Sequence, residues 1–309
     1  MSEKKILLYA ICANLLWSTA FLFGKIVLVA FPPILLAGLR SIIASMMILI
    51  FIRRNPFKSI KKNLRFVLLL SLVNPFFGFT IYNIGLNYLP GSYVAMLKGS
   101  SPAFIVMVST LLLKDEHMSL KNLLSLFLGI LGVVLLSLSK NSSNAVVNNT
   151  FIIGIILLIL SNFANAFAST MIKMRINIKQ ILDVNVIINL IGGILIIFVS
   201  LFSKEEVLVN KIDTKMIISL VYLSFITAGG SCLWNTIITH ENVKLNDISI
   251  WNFLIPAMGA VLSWIFIDGD NPNIISVICL ILVICSILIS VLNFSKLTKL
   301  INKKNLKYE

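Results

Sequence analysis

Long apolar runs recur along the whole chain and limit the folds that it can adopt. A run of 18 or more mostly apolar residues can cross the hydrocarbon core of a bilayer, about 30 Å thick, as a helix. Inside lipid the backbone has no water to bond, so each crossing segment must satisfy its own hydrogen bonds, as a helix does. The composition agrees, because 58% of the 309 residues are hydrophobic and only 12% are charged. The sequence therefore predicts an all-α integral membrane protein.

Ten apolar runs predict ten transmembrane helices with short connections. The predicted spans are 6–24, 33–52, 66–88, 92–113, 120–139, 151–171, 184–203, 216–239, 246–267 and 274–295. If the N-terminus is cytoplasmic, 19 of the 26 Lys and Arg residues lie on the cytoplasmic side of the membrane and five lie on the outer side, with Arg40 and Lys98 within spans. Cytoplasmic loops carry such an excess, so both termini are predicted to be cytoplasmic. The net charge of +14 is thus explained by topology, and no nucleic-acid partner is expected.

The two halves of the chain contain similar motifs in the same order. "NLLWSTAFLFGK" at 14–25 can be placed over "NFANAFASTMIK" at 162–173, and Tyr82–Asn83 over Trp234–Asn235. Further along, the alignment of Pro102 with Pro256 puts Lys98 opposite Asn252. The shared order of these matches predicts an internal repeat.

The repeat predicts the domain organisation. It comprises a five-helix repeat at 6–139, an external linker at 140–150, a second five-helix repeat at 151–295 and a basic cytoplasmic tail at 296–309. Because five is odd, the second copy must be inverted in the membrane relative to the first. Inverted repeats are typical of secondary transporters, whose substrate site lies near the bilayer midplane between the halves.

Two segments of the first half carry a family resemblance. "LLWSTAFLFGK", then Pro32 and Pro33, then "GLR" ending at Arg40, resembles the first two helices of EamA-type permeases, and so does "YNIGLNYLPGSYVAMLKGSSPAF". The resemblance implies membership of the drug/metabolite transporter superfamily and a substrate among amino acids, other metabolites and drugs. It also implies export from the cell. Lys98 departs from the family pattern, because a small or polar residue is expected there.

Two basic residues, Arg40 and Lys98, lie well inside predicted spans, and each has two interpretations. Lys98 either faces a water-filled cavity, together with Ser101 and Pro102 on its face, or extends its ammonium to the outer headgroups. Arg40 either binds substrate or ties the second helix to helix-end carbonyls. The spans contain no well-buried Asp or Glu, since Asp115, Glu116, Asp247, Asp268 and Asp270 lie at their ends. A cavity holding these cations favours an anionic group, such as the carboxylate of an amino acid.

Aromatic and amide side chains are the remaining candidates for a binding site. They can sandwich and hydrogen-bond a small substrate, although ordinary packing between helices is the alternative for each of them. The candidate substrate-binding residues are Asn14, Trp17, Arg40, Tyr82, Asn83, Lys98, Trp234, Asn235, Trp251 and Asn252.

The predicted function is secondary transport of small metabolites across the cell membrane by alternating access, by a monomer or a homodimer. The alternatives are an intramembrane enzyme and a non-transporting scaffold. The sequence lacks an H-E-x-x-H motif and a Cys/His pair, so no catalytic residue or cofactor is predicted. No metal is predicted either, because His117 and His240 lie in separate loops. The four cysteines are interpreted as packing residues: Cys12, Cys232, Cys279 and Cys285.

Overall fold

A computed structural model describes residues 3–89, 91–139, 149–203, 205–266 and 274–291, which form helices joined by short connections. No β-strand occurs within those ranges. Of the predicted linker at 140–150, only the last two residues belong to the described ranges. The predicted tail at 296–309 and the acidic residues Asp268 and Asp270 lie outside the described ranges.

Fourteen α-helices make up the described chain. They are α1 (Glu3–Val27), α2 (Pro33–Ile52), α3 (Pro56–Ile60), α4 (Leu64–Ser71), α5 (Thr80–Tyr88), α6 (Gly91–Lys98), α7 (Ser101–Leu112), α8 (Leu120–Ser139), α9 (Asn149–Arg175), α10 (Ile181–Phe202), α11 (Thr214–Ile238), α12 (Leu245–Ser249), α13 (Leu254–Phe266) and α14 (Ile274–Val291). A π-helical segment, Leu72–Phe79, joins α4 to α5, so that one helical rod runs over Leu64–Tyr88.

Six of the described rods are long and apolar enough to cross a membrane. They are Glu3–Val27, Pro33–Ile52, Leu64–Tyr88, Asn149–Arg175, Ile181–Phe202 and Thr214–Ile238. Shorter apolar helices cover Ser101–Leu112, Leu120–Gly132 and Leu280–Ile289. Several membrane-spanning helices make this a multi-pass membrane protein, as the sequence predicted.

Local sequence signals set several helix boundaries. Pro33 occupies the first turn of α2, where a missing N–H leaves no hydrogen bond unmade. The side chain of Asn55 caps α3 by accepting from the Phe57 N–H at 3.0 Å, and Asp213 caps α11 by accepting from Met216 N–H at 2.8 Å. These N-caps satisfy backbone donors that the first helical turn leaves free.

Two predicted spans are interrupted in the middle. The span predicted at 92–113 breaks after Lys98, where Gly99 and Ser100 separate α6 from α7. The span predicted at 246–267 contains a 3₁₀ turn, Ile250–Phe253, between α12 and α13. A proline follows each break, and a proline cannot donate the backbone bond that would continue the preceding turn. Lys98 and Asn252 therefore lie at equivalent interruptions.

Helices of the first half pack mainly against helices of the second half. Extensive contacts join α2 to α10, α8 to α14, α1 to α11, and α5 to α9. Glycines permit the closest approach between α2 and α10, because a Cβ on Gly38 would lie 2.6 Å from Ile197 Cγ1 and one on Gly193 would lie 2.7 Å from Ile42 Cγ1. The two halves are thus interlocked along their length.

The two ends of the helix bundle are named here by the direction of α1. The N-terminal end is where α1 begins, and it includes residues 53–63, 113–119, 176–180 and 239–244. The far end is where α1 finishes, and it includes residues 28–32 and 205–213. The largest cluster of buried apolar side chains lies toward the N-terminal end and contains Ile60, Val67, Ile176, Ile181 and Leu245.

Two carboxylates just outside the predicted spans are buried at the N-terminal end, which the sequence analysis did not predict. Asp183, in the first turn of α10, is 0% exposed, and Glu116, between α7 and α8, is 3% exposed. Asp183 is buried because the 53–60 segment folds over it: Arg54 pairs with it at 2.8 Å and Ser59 Oγ donates to it at 2.6 Å. Neither carboxylate lines the cavities described next.

Candidate functional site

A cavity of about 160 Å³ lies between the two halves of the chain. Its lining comes from α1, α2, the Leu64–Tyr88 rod, α6 and α7 in the first half, and from α9, α10, α11 and the α12–α13 interruption in the second. Five of the predicted site residues line it: Trp17, Arg40, Tyr82, Lys98 and Asn252. No described residue of this lining is acidic. The cavity therefore places two cations among neutral side chains.

Lys98 ends α6 and faces this cavity from the helix interruption. Its ammonium lies 3.4 Å from Ser161 Oγ and 4.8 Å from the centre of the Tyr82 ring. Ser101, which was predicted to share its face, lines the same cavity. A cation over an aromatic face is attracted by the ring quadrupole, by about 2 kcal/mol when the pair is desolvated. The side chain thus points to the interface between the halves.

Arg40 lies in the middle of α2 and is 2% exposed. Its guanidinium donates to Asn83 Oδ1 at 3.4 Å and to Thr227 Oγ1 at 3.2 Å, and Cζ lies 4.5 Å from the centre of the Phe79 ring. The buried Nε has no hydrogen-bond partner among the described residues. These partners are side chains, whereas the alternative interpretation of Arg40 required helix-end carbonyls.

An aromatic pair connects the two cations. The rings of Phe79 and Tyr82 are parallel within 3°, with their centres 6.1 Å apart. Arg40 lies over Phe79 and Lys98 lies over Tyr82. Each cation therefore has its own ring, and positive charge reaches the cavity at two points.

A smaller cavity of about 50 Å³ adjoins the first on the side of the N-terminal end. Trp17, Asn74, Pro75, Asn165, Asn189 and Ser231 line both cavities. Trp234 and Asn235, two further predicted site residues, line only the smaller one. The rings of Trp17 and Trp234 lie 5.8 Å apart at 59°. Tyr82 and Trp234 thus occupy different cavities, although the repeat places them at equivalent positions.

Three predicted site residues line neither cavity. Asn14 donates to the Ala10 carbonyl at 2.8 Å, and Asn83 donates to the Phe79 carbonyl at 2.7 Å while accepting from Arg40. Trp251 packs between two clusters of apolar side chains. The contacts of Asn14 and Trp251 agree with packing, the alternative considered for each residue. Asn83 instead positions Arg40.

Several cavity residues were not identified from the sequence. The repeat carried a signal for Asn165, because the overlay of 14–25 on 162–173 places Asn165 opposite Trp17. Asn74 and Phe79 belong to the π-helical segment, and their orientation depends on that local winding. Gly230 makes room for Trp17, since a Cβ there would lie 2.5 Å from the indole Nε1.

In the described part of the chain, no three His, Cys, Asp or Glu side chains lie close enough together to hold a metal ion. The cavity lining combines amides, hydroxyls, aromatic rings and the two cations with aliphatic residues such as Ile226 and Ile255. Such a set can pair with an anion and hydrogen-bond a neutral polar group.

Comparison with known proteins agrees with this arrangement. The chain is 25% identical to an uncharacterized transporter of Bacillus subtilis (strain 168), YvbV, over 88% of this chain and 87% of that one. It is 19% identical to another from the same organism, YoaV, over 94% and 98% of the two chains. A solved crystal structure, described only as that of a protein, has a similar fold, with a TM-score of 0.78 at 17% identity over 96% of this chain and 99% of that one.

These observations define the class of the protein as a membrane transporter. The model of the EamA-like transporter family matches the chain twice, at residues 4–138 and 152–292. The chain therefore belongs to the EamA-like transporter family, which confirms the resemblance seen in the sequence.

Proposed function

We propose that the protein is a secondary transporter that moves small metabolites, amino acids or related zwitterionic or anionic compounds, across the cell membrane by alternating access. The observation that carries this proposal is a cavity between the two halves with Arg40 and Lys98 in its wall and no described acidic residue beside them. A buried cation is costly without an opposite charge, so an anionic substrate stabilises this arrangement. Export is the direction implied by the family resemblance.

The proposed topology has ten membrane spans in two inverted five-helix repeats, with both termini in the cytoplasm. The surplus of Lys and Arg in alternate connections supports this orientation. The pairing of α1 with α11 and of α5 with α9 supports the inverted repeat, because these are the reciprocal contacts of two copies related by a twofold axis. The N-terminal end then faces the cytoplasm, and the far end faces outside.

Transport is favoured over the two alternatives. The described cavity lining contains no carboxylate, imidazole or thiol, which are side chains that often serve as general bases in enzymes. A scaffold has no use for a cavity with two cations in the centre of the bundle. We therefore propose that the protein has no enzymatic activity of its own.

Uptake into proteoliposomes across a metabolite panel tests the function. Lys98→Met keeps the length of the side chain and removes its charge. It is expected to lower the uptake of carboxylate substrates at least tenfold, since a charge-assisted hydrogen bond contributes about 1.5–3 kcal/mol. Lys211→Met, in an exposed loop at the far end, is the matched control and leaves uptake unchanged. Normal uptake by the Lys98→Met protein would show that the substrate binds elsewhere.

Cysteine labelling in intact cells tests the orientation. In a background without native cysteines, Asn210→Cys at the far end should react with an impermeant thiol reagent added outside. Lys58→Cys at the N-terminal end should react only after the cells are opened. Both positions are exposed, so a difference between them reports the side of the membrane and not burial. The opposite labelling pattern would reverse the topology.

A further inference from the structure

The larger cavity has an imbalance of charge that narrows the class of substrate. Two cations line it, and within the described lining no carboxylate compensates either of them. Resting on the transport function proposed above, we propose that the preferred substrate is a small dicarboxylate, with one acid group for each cation.

The charge of Arg40 is not neutralised by its surroundings. Its two hydrogen-bond acceptors, Asn83 Oδ1 and Thr227 Oγ1, are neutral oxygens, and the third contact is the face of Phe79. The guanidinium has five N–H donors, so donors remain beyond these two hydrogen bonds. A carboxylate is the natural partner, because the planar guanidinium can bind its two oxygens at once.

Lys98 is less well satisfied than Arg40. The ammonium has three N–H donors, and Ser161 Oγ, at 3.4 Å, is its one described hydrogen-bond acceptor. The Tyr82 ring covers another side of the ammonium, 4.8 Å from the ring centre. Lys98 lines the cavity, so its remaining donors can bind a second acid group there.

The two cations are presented at separate points, which favours two separate acid groups over one. Arg40 contacts Phe79 and Lys98 contacts Tyr82, so each cation lies on a different member of the stacked pair. A single compact acid group that binds one cation leaves the charge of the other cation uncompensated. A short dicarboxylate can instead place one carboxylate against each cation.

A zwitterion fits this site less well than a dicarboxylate. Its ammonium would add a third positive charge to a cavity whose described lining contains no acidic side chain. The amide groups on the wall, from Asn74, Asn165, Asn189 and Asn252, are neutral acceptors or donors. Asn252 Oδ1 is buried without a hydrogen-bond partner among the described residues, and it can accept from a hydroxyl or amide of the substrate.

A series of ligands of the same length but different charge tests the proposal on the full-length protein in detergent. Succinate, succinamate and succinamide carry about two, one and no negative charges at neutral pH, and asparagine supplies the zwitterion. Binding is measured as the shift in melting temperature with ligand concentration. We expect succinate to bind at least tenfold more tightly than succinamate, and succinamide to have no effect. Equal or stronger binding of asparagine or succinamide would overturn the proposal.

Variants and a compact anion locate the two acid groups. Lys98→Met and Arg40→Met should each weaken succinate at least tenfold and should reduce the advantage of succinate over succinamate. If either variant fails to fold, the ligand series on the unaltered protein still decides. Inorganic phosphate carries its charge on one centre, so stronger binding of phosphate than of succinate would contradict two separate acid groups.

Proteoliposome uptake separates this proposal from the transport function itself. If compounds of the metabolite panel are taken up while succinate neither enters nor binds, the dicarboxylate inference alone is wrong. If succinate binds but no compound of the panel is taken up, the charged site is supported and transport is contradicted. Uptake of succinate that is lost in the Lys98→Met protein supports both.

Discussion

The two ends of the helix bundle are tied together in different ways. At the N-terminal end, the Arg54–Asp183 ion pair at 2.8 Å joins the two halves, and Gln180 Nε2 donates across the same junction to the Ser59 carbonyl at 2.6 Å. At the far end, Glu205 bridges the halves by accepting from the backbone at the start of α2, and two aromatic pairs, Phe23–Tyr222 and Tyr93–Phe151, also join them. At the N-terminal end, an ion pair and hydrogen bonds are thus added to the packing of the largest cluster of buried apolar side chains.

A pair of lysines shows the same contrast at positions that the repeat makes equivalent. Lys173, at the N-terminal end, donates to the carbonyls of His240 at 2.8 Å and Val243 at 2.6 Å. Lys25, at the far end, is half-buried like Lys173 but reaches one carbonyl, that of Asn87, at 3.4 Å. Similar sequences at the two ends therefore form contacts of unequal strength. In this conformation, polar contacts therefore hold the N-terminal end more firmly than the far end.

Removing the ion pair is expected to have the largest effect. Asp183→Ala should lower the free energy of unfolding by about 2–4 kcal/mol, below the full range for a buried pair because Arg54 is 54% exposed. Thermal unfolding in detergent measures this loss. The N-terminal end should also open, so Ser231→Cys in the cavity wall should react faster with a thiol reagent added at that end. Unchanged stability and labelling would contradict a closed N-terminal end.

Exchanging the lysines should have an intermediate effect that differs between the ends. Lys173→Met removes two charge-assisted hydrogen bonds and should lower the free energy of unfolding by about 1.5–3 kcal/mol. Lys25→Met removes one long and exposed contact, and the expected change is below about 0.5 kcal/mol. Melting temperatures of the two variants, measured side by side, provide the comparison. Equal losses would mean that the two ends are equally closed.

An effect smaller than that of Asp183→Ala or Lys173→Met is expected from the two glutamates that bind helix starts. Glu116 accepts from the backbone N–H groups of Leu245 and Asn246 at the N-terminal end, and Glu205 does so for Ile34 and Leu35 at the far end. Glu→Gln keeps one acceptor oxygen and removes the charge, so each variant should lose about 1 kcal/mol. Glu116→Gln should lose more, because Glu116 is buried and Glu205 is partly exposed. A larger loss for Glu205→Gln would reverse the contrast between the ends.

The sequence allowed the class of fold and the main cations of the cavity to be predicted. Apolar runs report helices directly, and a lysine such as Lys98 within such a run is conspicuous because its burial is costly. Trp17 and Asn252 also line the cavity as expected. Their substrate-binding roles stay a prediction.

The remaining cavity residues depend on geometry that periodicity does not encode. Trp251 was expected in the site, but it lies in the 3₁₀ turn, where the winding differs from that of an α-helix and directs it to apolar clusters. Asn74 and Phe79 were missed for the related reason that they lie in the π-helical segment. Asp183 was missed as a buried group, because its burial comes from a loop distant in sequence that covers the start of α10.

Which side chains line the cavity depends on the number of residues in the π-helical segment Leu72–Phe79. A π-turn holds more residues than an α-turn, so the segment contains extra chain relative to an α-helix of the same rise. Each residue of an α-helix turns the chain by about 100° and each residue of the wider π-turn turns it by less, so deleting one residue here would let the segment wind as an α-helix and change the direction of the residues that follow it in the rod. Tyr82 and Asn83 would then leave their places beside Lys98 and Arg40. A single-codon deletion could thus give a transporter with the same helices and a different preference for substrate.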